Sequence, residues 1–203
     1  MKKLLVFTVA LLCTTLCAPA HAADINTVKA TIVKHALEMG VDPAIALSIA
    51  RTESGFRHEA KSSHGAVGVF QLMPSTARRM GLNPYLLNDN IRGGIMYYKM
   101  MYKMFGSMEL ALAAYNAGPG NVKKYNAVPP YAETKRFVNK IMTDYHNYKA
   151  NPDPSMVKAT KVSAQNAKTS TANIKSDAAK PVKVEVVEET PIELEIEATT
   201  LAI

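Results

Sequence analysis

Residues 46–56 read ALSIARTESGF, an apolar run that ends in a glutamate shortly before a glycine. If this stretch is a helix, Glu53 shares one face with Ala46, Ile49 and Ala50, because residues three, four and seven positions apart lie on the same side. An unpaired carboxylate on a buried face is costly, so its position needs a physical explanation. Burial and the C-terminal end of a helix both disfavour the ionised form, and both would raise the pKa of Glu53.

A glutamate that keeps its proton near neutral pH has the chemistry of a general acid. Cleavage of a glycosidic bond needs such a group, because the leaving oxygen must receive a proton as the bond breaks. The structural alternative is a glutamate that caps the helix or forms an ion pair with Arg51 or Arg57. The spacing alone leaves both interpretations open.

The two ends of the 203-residue chain differ from its middle. Residues 1–22 begin with a lysine pair, continue with an apolar run and end in an A-x-A pattern, which is typical of a cleaved signal peptide. The sequence therefore predicts an exported protein, periplasmic or secreted, without a stable membrane span. An alternative is a lipoprotein acylated at Cys17, although no small residue directly precedes that cysteine.

The predicted domain is basic and has no disulfide. Residues 23–150 carry 16 Lys and Arg against 9 Asp and Glu, whereas residues 151–203 carry 6 against 8. A basic surface suits nucleic acid, anionic lipid or an acidic polymer such as the bacterial cell wall, and export argues against nucleic acid. Lysines that only keep the domain soluble would give the same composition. Both cysteines, Cys13 and Cys17, lie in the signal segment, so stability must come from the core.

Helical periodicity dominates residues 24–149, and no long stretch alternates with period two. Asp42-Pro43 supplies an N-cap and a proline at the first helical position of the helix that leads to Glu53. Six or seven helices with short connections predict a compact all-α domain over residues 23–150. Helices are predicted over residues 25–39, 43–54, 74–80, 89–105, 108–117 and 132–149, with a loop over 57–72 and turns at Asn83-Pro84 and Pro119-Gly120.

The remaining residues, 151–203, are predicted to form a low-complexity linker and an acidic tail. Residues 155–180 are rich in Ala, Lys, Ser and Thr, which is typical of a disordered linker. Residues 181–198 alternate apolar and acidic side chains as a strand would, but an isolated hairpin is barely stable in water. A solvated tail and a segment ordered by a partner both remain open.

Three strings carry a resemblance to a known family. They are ESGFRHEAKSSHGAVGVFQLMPSTA at residues 53–77, AYNAGPGNV at 114–122 and PPYAETKRFV at 129–138. Together they resemble the soluble lytic transglycosylase family, whose Glu-Ser, Gly-Leu-Met-Gln, Ala-Tyr-Asn and Glu-Thr elements occur in this order at about these separations. Each string alone is a weak signal, but the three in order extend the resemblance over residues 26–148.

The resemblance implies a lysozyme-like helical domain that cleaves the β-1,4 bond between N-acetylmuramic acid and N-acetylglucosamine in peptidoglycan. The implied product is a 1,6-anhydromuramic acid end. By position, Glu53 would be the sole catalytic carboxylate. It would first protonate the glycosidic oxygen and then accept the proton of the C6 hydroxyl that closes onto C1. No cofactor is implied, and the five histidines show no metal-binding spacing.

Seven further positions carry over from the family's motifs as substrate-binding candidates. Ser54 would support the geometry of the acid, and Ser62 would bond the substrate's N-acetyl group. Gln71 ends GVFQ, where its amide can donate to and accept from sugar groups, and Met73 would line the same wall. A loop-stabilising role is the alternative for Gln71.

The later motifs supply the other three candidates. Tyr115 and Asn116 match Ala-Tyr-Asn, with the phenol near the acid, and Glu133 matches the acidic residue that helps to hold the muramic sugar. Core packing is the alternative for Tyr115. For Glu133 it is a favourable charge at a helix N-terminus.

The sequence departs from the family at three places. Val69-Phe70 replaces the usual leucine and methionine, which should change the shape of the groove but keep its wall apolar. Arg57-His58 replaces Asn-Pro and adds positive charge. Phe137 stands where many members have a tyrosine, so any help from that hydroxyl would be missing.

The predicted partner is the peptidoglycan glycan strand. Small single-domain members with a variable tail often serve secretion or conjugation machines, so components of such a machine are a second expected partner, by analogy alone. A monomer is the default. Two other functions remain: a muramidase that hydrolyses the same bond, and an assembly protein that binds the wall without cleaving it.

Overall fold

The structure is a computed structural model that describes residues 24–161. Its helices are α1 Ile25–Glu38, α2 Pro43–Ser54, α3 Pro74–Arg79, α4 Leu87–Phe105, α5 Met108–Ala117, α6 Pro119–Tyr125 and α7 Ala132–Ala150. A further helical segment covers residues 154–161. Within the described part of the chain, extended backbone forms only the isolated bridges Lys61–Val67 and Val67–Leu72. The prediction of an all-α domain is confirmed for these residues.

One hydrophobic core forms where α1, α2, α4, α5 and α7 pack against one another. The middle of α2 and of α5 is rich in alanine, and Ala50, Ala113 and Ala114 are completely buried. Small side chains let helices approach closely, while larger residues such as Leu112 fill the space between them. The packing fixes α2, whose last turn carries Glu53, against α1 and α7.

Both ends of α2 follow the predicted signals. Asp42 caps the first turn, since its Oδ1 accepts a hydrogen bond from Ala44 N at 2.9 Å, and Pro43 takes the first helical position. Gly55 ends the helix at φ 62°, a left-handed conformation that glycine adopts without a steric penalty. The predicted helix leading to Glu53 is therefore confirmed.

Two predicted boundaries are wrong. The expected turn at Pro119-Gly120 is the beginning of α6. Proline suits the first position of a helix as well as a turn, because its fixed φ fits both and a helix start does not use its missing N–H. Helix α4 begins at Leu87, two residues before the predicted start at Asp89. Asp89 lies inside the first turn, where its carboxylate accepts a hydrogen bond from Asn83 N at 3.0 Å.

Packed structure continues beyond the expected domain boundary at residue 150. The predicted linker includes residues 155–161, but these are helical, and Met156 packs against the core. Asp153 anchors this segment: it is buried, and its carboxylate accepts a hydrogen bond from Lys29 Nζ at 2.8 Å. The two partners are 124 positions apart, so no local pattern indicates the contact.

Two other predictions fall on residues outside the described part. They are the signal peptide at residues 1–22 and the rest of the linker with its acidic tail, residues 162–203. Between residues 24 and 161, no helix combines the length and apolar character that crossing a membrane requires.

Candidate active site

The last turn of α2 presents Glu53 at the edge of the core. Glu53 is half-buried, and it directly precedes the buried Ser54. The turn that follows is closed by hydrogen bonds from Gly55 N to Arg51 O at 3.0 Å and from Phe56 N to Ala50 O at 3.4 Å. These bonds satisfy carbonyls at the helix end and fix the backbone on both sides of the acid.

The surroundings of Glu53 favour its protonated form. Burial raises the pKa of Glu53 to about 8, and the negative charge of Glu133 adds to the effect. Neither expected ion-pair partner binds Glu53 in the described structure, since Arg51 pairs with Asp144 at 3.3 Å and Arg57 is exposed without an ion pair. At pH 7 most copies of Glu53 therefore carry a proton. The ion-paired alternative left open by the sequence does not describe this structure.

The loop of residues 55–73 lies against the end of α2, and Ser54 joins the two. Its hydroxyl donates to Val69 O at 2.8 Å and contacts Ala50 O at 3.3 Å. Val69 and Phe70 are completely buried. The expectation that they shape a groove wall is therefore not met, because both side chains belong to the core.

A residue that the sequence analysis missed, Asn90 of α4, organises this loop from below. Its side chain is completely buried and accepts a hydrogen bond from Phe70 N at 2.9 Å. Its amide nitrogen donates to Val67 O at 2.8 Å and to Pro84 O at 3.0 Å. Gly68 passes so close that a Cβ there would collide with the Asn90 amide. The sequence offered one signal for this role of Asn90, which is a polar residue at a position on the buried face of α4.

Gln71 follows the loop's tightest point and has φ 45°, an uncommon value for a residue with a side chain. Its Nε2 donates to Gly68 O at 2.9 Å and to Ala60 O at 3.1 Å. The amide donors thus stabilise the loop, as the structural alternative expected. The side-chain oxygen has no protein partner within residues 24–161, so it is free to accept a bond from a ligand.

Tyr115 connects α5 to the same loop. Its hydroxyl donates to Phe70 O at 2.9 Å, one residue before Gln71. Burial raises the pKa of Tyr115 well above its ordinary value, and the charge of Glu53 raises it further, so the phenol lies within electrostatic reach of the acid. Tyr115 is therefore a neutral phenol near Glu53, and its hydroxyl proton is bonded to Phe70 O.

Two rings flank Tyr115 and hold it in place. Tyr97 of α4, which the sequence analysis did not single out, meets it edge to face with centroids 5.2 Å apart. Phe137 of α7 stacks at 6.4 Å with planes 15° apart and is buried. Phe137, the position where relatives of the motif often have tyrosine, thus supports Tyr115 by packing.

The start of α7 brings Glu133 toward the acid, since its charge acts on Glu53. Thr134, also missed from the sequence, donates from Oγ1 to Asn116 Oδ1 at 2.7 Å. This bond ties the first turn of α7 to the end of α5, where Asn116 lies. Glu133 itself is exposed.

The remaining two candidates lie on the loop and at its exit. Ser62 uses its hydroxyl within the loop, where it accepts a hydrogen bond from Ala66 N at 3.0 Å. Met73 immediately precedes α3 and is 42% exposed. Electrostatic interactions thus link Glu53 with Tyr115 and with Glu133. Gln71 is joined to Tyr115 through the loop, because the Tyr115 hydroxyl binds the carbonyl of the preceding residue, Phe70. No hydrogen bond joins Ser62 or Met73 to Glu53 in the described residues.

A family model described as "Transglycosylase SLT domain" matches residues 30–138. The chain belongs to this family. Lysozyme-like helical folding and the resemblance drawn from the three motifs are thereby confirmed. The SLT domain match includes Glu53 and every other candidate residue.

Named relatives of this SLT domain are transglycosylases. The soluble lytic murein transglycosylase of Escherichia coli strain K12 is 31% identical over 59% of this chain and 23% of its own length. The transglycosylase of Enterobacteria phage PRD1 is 30% identical over 64% of this chain and 47% of its own length. The chain therefore spans less than half the length of these relatives.

Solved structures give the same result. An inactive glutamate-to-glutamine mutant of the lytic transglycosylase Slt from Pseudomonas aeruginosa matches with a TM-score of 0.55 and 31% identity, over 63% of this chain and 25% of that chain. The 70 kDa soluble lytic transglycosylase of Escherichia coli matches with a TM-score of 0.53 and 27% identity, over 62% and 25%. In both cases the SLT domain corresponds to one part of a longer protein.

Proposed function

We propose that the chain is an exported enzyme, a lytic transglycosylase that cleaves the β-1,4 bond between N-acetylmuramic acid and N-acetylglucosamine in peptidoglycan. One observation carries this most: Glu53 is half-buried, has no ionic partner in the described residues, and has a pKa raised to about 8. Such a group holds its proton at neutral pH and can deliver it in the transition state. Membership of the family supplies the reaction class.

The reaction needs one carboxyl group used twice. Glu53 donates its proton to the glycosidic oxygen while the bond from that oxygen to C1 of the muramic sugar breaks. The resulting carboxylate then takes the proton of the C6 hydroxyl, and the C6 oxygen bonds to C1. The product is a 1,6-anhydro sugar, no water is consumed, and Glu53 regains its proton. Since the sugar supplies the nucleophile, no second carboxylate is required, unlike the usual two-carboxylate scheme.

The other residues position the acid and the sugar. Ser54 fixes the end of α2 against the loop through Val69 O, which keeps Glu53 at the edge of the core. Tyr115 holds the loop next to Gln71 through its bond to Phe70 O, and its hydroxyl lies within electrostatic reach of the acid. The free side-chain oxygen of Gln71 is suited to accept a bond from a sugar hydroxyl or N-acetyl N–H.

The four outer residues are proposed to contact the substrate. Glu133 would hold the muramic sugar, and Asn116 supports it through Thr134. Met73 is an exposed apolar contact at the loop exit. For Ser62, the hydroxyl proton remains available to a substrate N-acetyl oxygen, because its bond to Ala66 N uses only an oxygen lone pair.

A second candidate is hydrolysis of the same bond by a muramidase. Glu133 favours it, because it is the acidic group whose charge acts on Glu53 and it is exposed to solvent. A carboxylate in that position could activate a water molecule opposite the leaving group. A third candidate, a wall-binding assembly protein, would use the groove without turning over the glycan.

Digestion of purified peptidoglycan in ¹⁸O-enriched water separates the three candidates. Residues 23–203 and their Glu53→Gln variant are incubated with the wall, and the released muropeptides are analysed by mass. Anhydro ends without ¹⁸O, absent with Glu53→Gln, support the transglycosylase. Reducing ends that contain ¹⁸O indicate the muramidase. Intact wall that retains the protein indicates the assembly protein.

Export and partners are further parts of this proposal. The signal pattern at residues 1–22 and the proposed peptidoglycan substrate both favour a location in the periplasm or outside the cell. Components of a secretion or conjugation machine are proposed partners, and a monomer is the proposed state. Mass measurement of the exported protein tests cleavage after Ala22, and cross-linking in cells with a functional machine tests the partner.

A further inference from the structure

Two exposed tyrosines meet at the connection between α6 and α7. Tyr125 is the last residue of α6, Tyr131 directly precedes α7, and each is 39% exposed. Their ring centroids are 5.9 Å apart, and the ring planes are nearly perpendicular at 85°. Neither ring belongs to the hydrophobic core. Filling of the core therefore does not explain why two large, partly exposed rings lie here.

The pair is held in a fixed arrangement. The Tyr131 hydroxyl donates to Asn121 Oδ1 at 3.1 Å, and Asn121 Nδ2 donates to Ala117 O at 2.7 Å. Lys124 Nζ lies 5.6 Å from the centroid of the Tyr125 ring. No described cation covers Tyr131 in this way, so Tyr131 offers the freer face. A ligand that stacks on it finds a ring that is already ordered, which reduces the entropy lost on binding.

The Tyr125–Tyr131 pair adjoins the candidate active site on both of its elements. Helix α6 begins three residues after Asn116, and Glu133 follows Tyr131 by two residues in the first turn of α7. The hydrogen bond between Thr134 and Asn116 holds the first turn of α7 to the end of α5, which directly precedes α6. Tyr131 thus lies two residues from Glu133, the group whose charge acts on Glu53.

We propose that the Tyr125–Tyr131 pair is an outer sugar-binding subsite, where the C–H face of an N-acetylhexosamine ring stacks on Tyr131. This inference rests on the proposed function, in which the substrate is a polymer that extends beyond the cleaved bond. The axial C–H groups of such a sugar ring form an apolar face whose hydrogens carry a partial positive charge. This face matches the negative face of an aromatic ring. Lys123 and Lys124, in the last turn of α6, add positive charge suited to an acidic polymer.

A structural role for the pair predicts something different. If the rings only brace the connection between α6 and α7, removing one lowers the thermal midpoint and affects all ligands alike. If they form a subsite, the loss concerns long glycans and spares short ones. Tyr131→Phe separates the ring from its hydroxyl, because it keeps the stacking face and removes the bond to Asn121.

The test measures binding in the Glu53→Gln background, so that substrate is not consumed. Tyr131→Ala, Tyr125→Ala and Tyr131→Phe are compared by co-sedimentation with insoluble peptidoglycan and by titration with N-acetylglucosamine oligomers of increasing length. The matched control is Tyr85→Ala, which removes a tyrosine that is 62% exposed at another place on the surface. Thermal unfolding of each variant is recorded in parallel.

We expect Tyr131→Ala to weaken binding of peptidoglycan and long oligomers by about fivefold or more, as for a truncated aromatic anchor. Short oligomers should bind as before, Tyr131→Phe should keep most of the affinity, and Tyr85→Ala should change little. In a protein that keeps Glu53, Tyr131→Ala should raise KM for peptidoglycan and leave kcat unchanged.

Equal binding by folded Tyr131→Ala and the Tyr85→Ala control would overturn the subsite, as would equal losses for short and long oligomers. Should Tyr131→Ala not fold, Tyr125→Ala decides by the same length dependence. The failure of the proposed function looks different, since the parent protein with Glu53 intact would then release no anhydro ends from peptidoglycan, whichever variant binds it.

Discussion

Asn90→Ala should destabilise the protein strongly, because one buried side chain serves two backbone groups of the loop of residues 55–73 and the carbonyl of Pro84. Without it, Phe70 N–H loses its acceptor and Pro84 C=O loses its donor. Val67 C=O also loses a donor but still accepts a bond from Leu72 N at 3.0 Å. Two buried backbone groups are therefore left without a partner.

Each buried polar group left unsatisfied costs about 1–3 kcal/mol. Two of them give about 2–6 kcal/mol, and we take about 3 kcal/mol as the expected loss in the free energy of unfolding. For a domain of this size, that lowers the thermal midpoint by about 10 °C. Phe70 also offers its carbonyl to Tyr115 at 2.9 Å, so a displaced loop should reduce kcat of the folded enzyme as well.

Urea unfolding and calorimetry measure the stability change, with Asn88→Ala as the control. Asn88 lies two positions earlier in α4, is exposed, and makes a single side-chain contact with His35 at 3.3 Å. Its removal should cost less than about 0.5 kcal/mol. An Asn90→Ala protein as stable as the control would refute the reasoning, since the loop would then find its hydrogen bonds elsewhere.

Three further predictions concern the charged groups. The pKa of Glu53 is raised from its ordinary 4.5 to about 8, so the folded state keeps a proton that the unfolded state releases between those values. Glu53→Gln should therefore leave the free energy of unfolding nearly unchanged at pH 4 and raise it by about 2 kcal/mol at pH 7, after allowance for residual solvent contact. Urea unfolding of both proteins at several pH values tests this, and a difference between them that does not change with pH would contradict it. Glu133→Gln removes a charge that raises the same pKa, so the upper limb of the pH–rate profile should move to lower pH; an unmoved limb would show that the charge is screened. Asp153→Asn leaves the mostly buried Lys29 ammonium without a carboxylate, so calorimetry should show a loss of about 2–3 kcal/mol in the free energy of unfolding. Lys29→Met in the same protein should restore part of this loss. An unchanged thermal midpoint for Asp153→Asn would show that the terminal segment is not anchored there.

Local sequence signals were sufficient to predict a helix boundary where the capping residues lie within the helix's own first or last turn. Asp42-Pro43 begins α2 and Gly55 ends it, because capping and left-handed glycine act within one turn. The same kind of signal was ambiguous at Pro119, where the residue types of a turn and of a helix start coincide. In the structure Val122 of α6 is buried, and this burial depends on parts of the fold that local sequence does not show.

Contacts between distant residues were beyond local reasoning. Asn90 lies 20 positions from Phe70, and Asp153 lies 124 positions from Lys29. The helical residues 154–161 thus looked like linker because their anchor is far away in the sequence.

Residues of the candidate site show what a motif leaves out. The motif singled out Gln71 as a candidate, but it did not show that both amide donors bind the loop itself. Val69 and Phe70 were expected at the groove, yet they fill the core. Motif position therefore supplied candidate side chains, while packing determined which of their atoms remain available.

The central claim is that Glu53 holds a proton at neutral pH, and a direct titration tests it. Protein labelled with ¹³C at glutamate carboxyl carbons is titrated by NMR, with the Glu53→Gln variant identifying the resonance. An apparent pKa of about 8 for Glu53 is the predicted result. A midpoint near the ordinary 4.5 would contradict the account, because the residue would then be ionised when the glycosidic oxygen needs its proton.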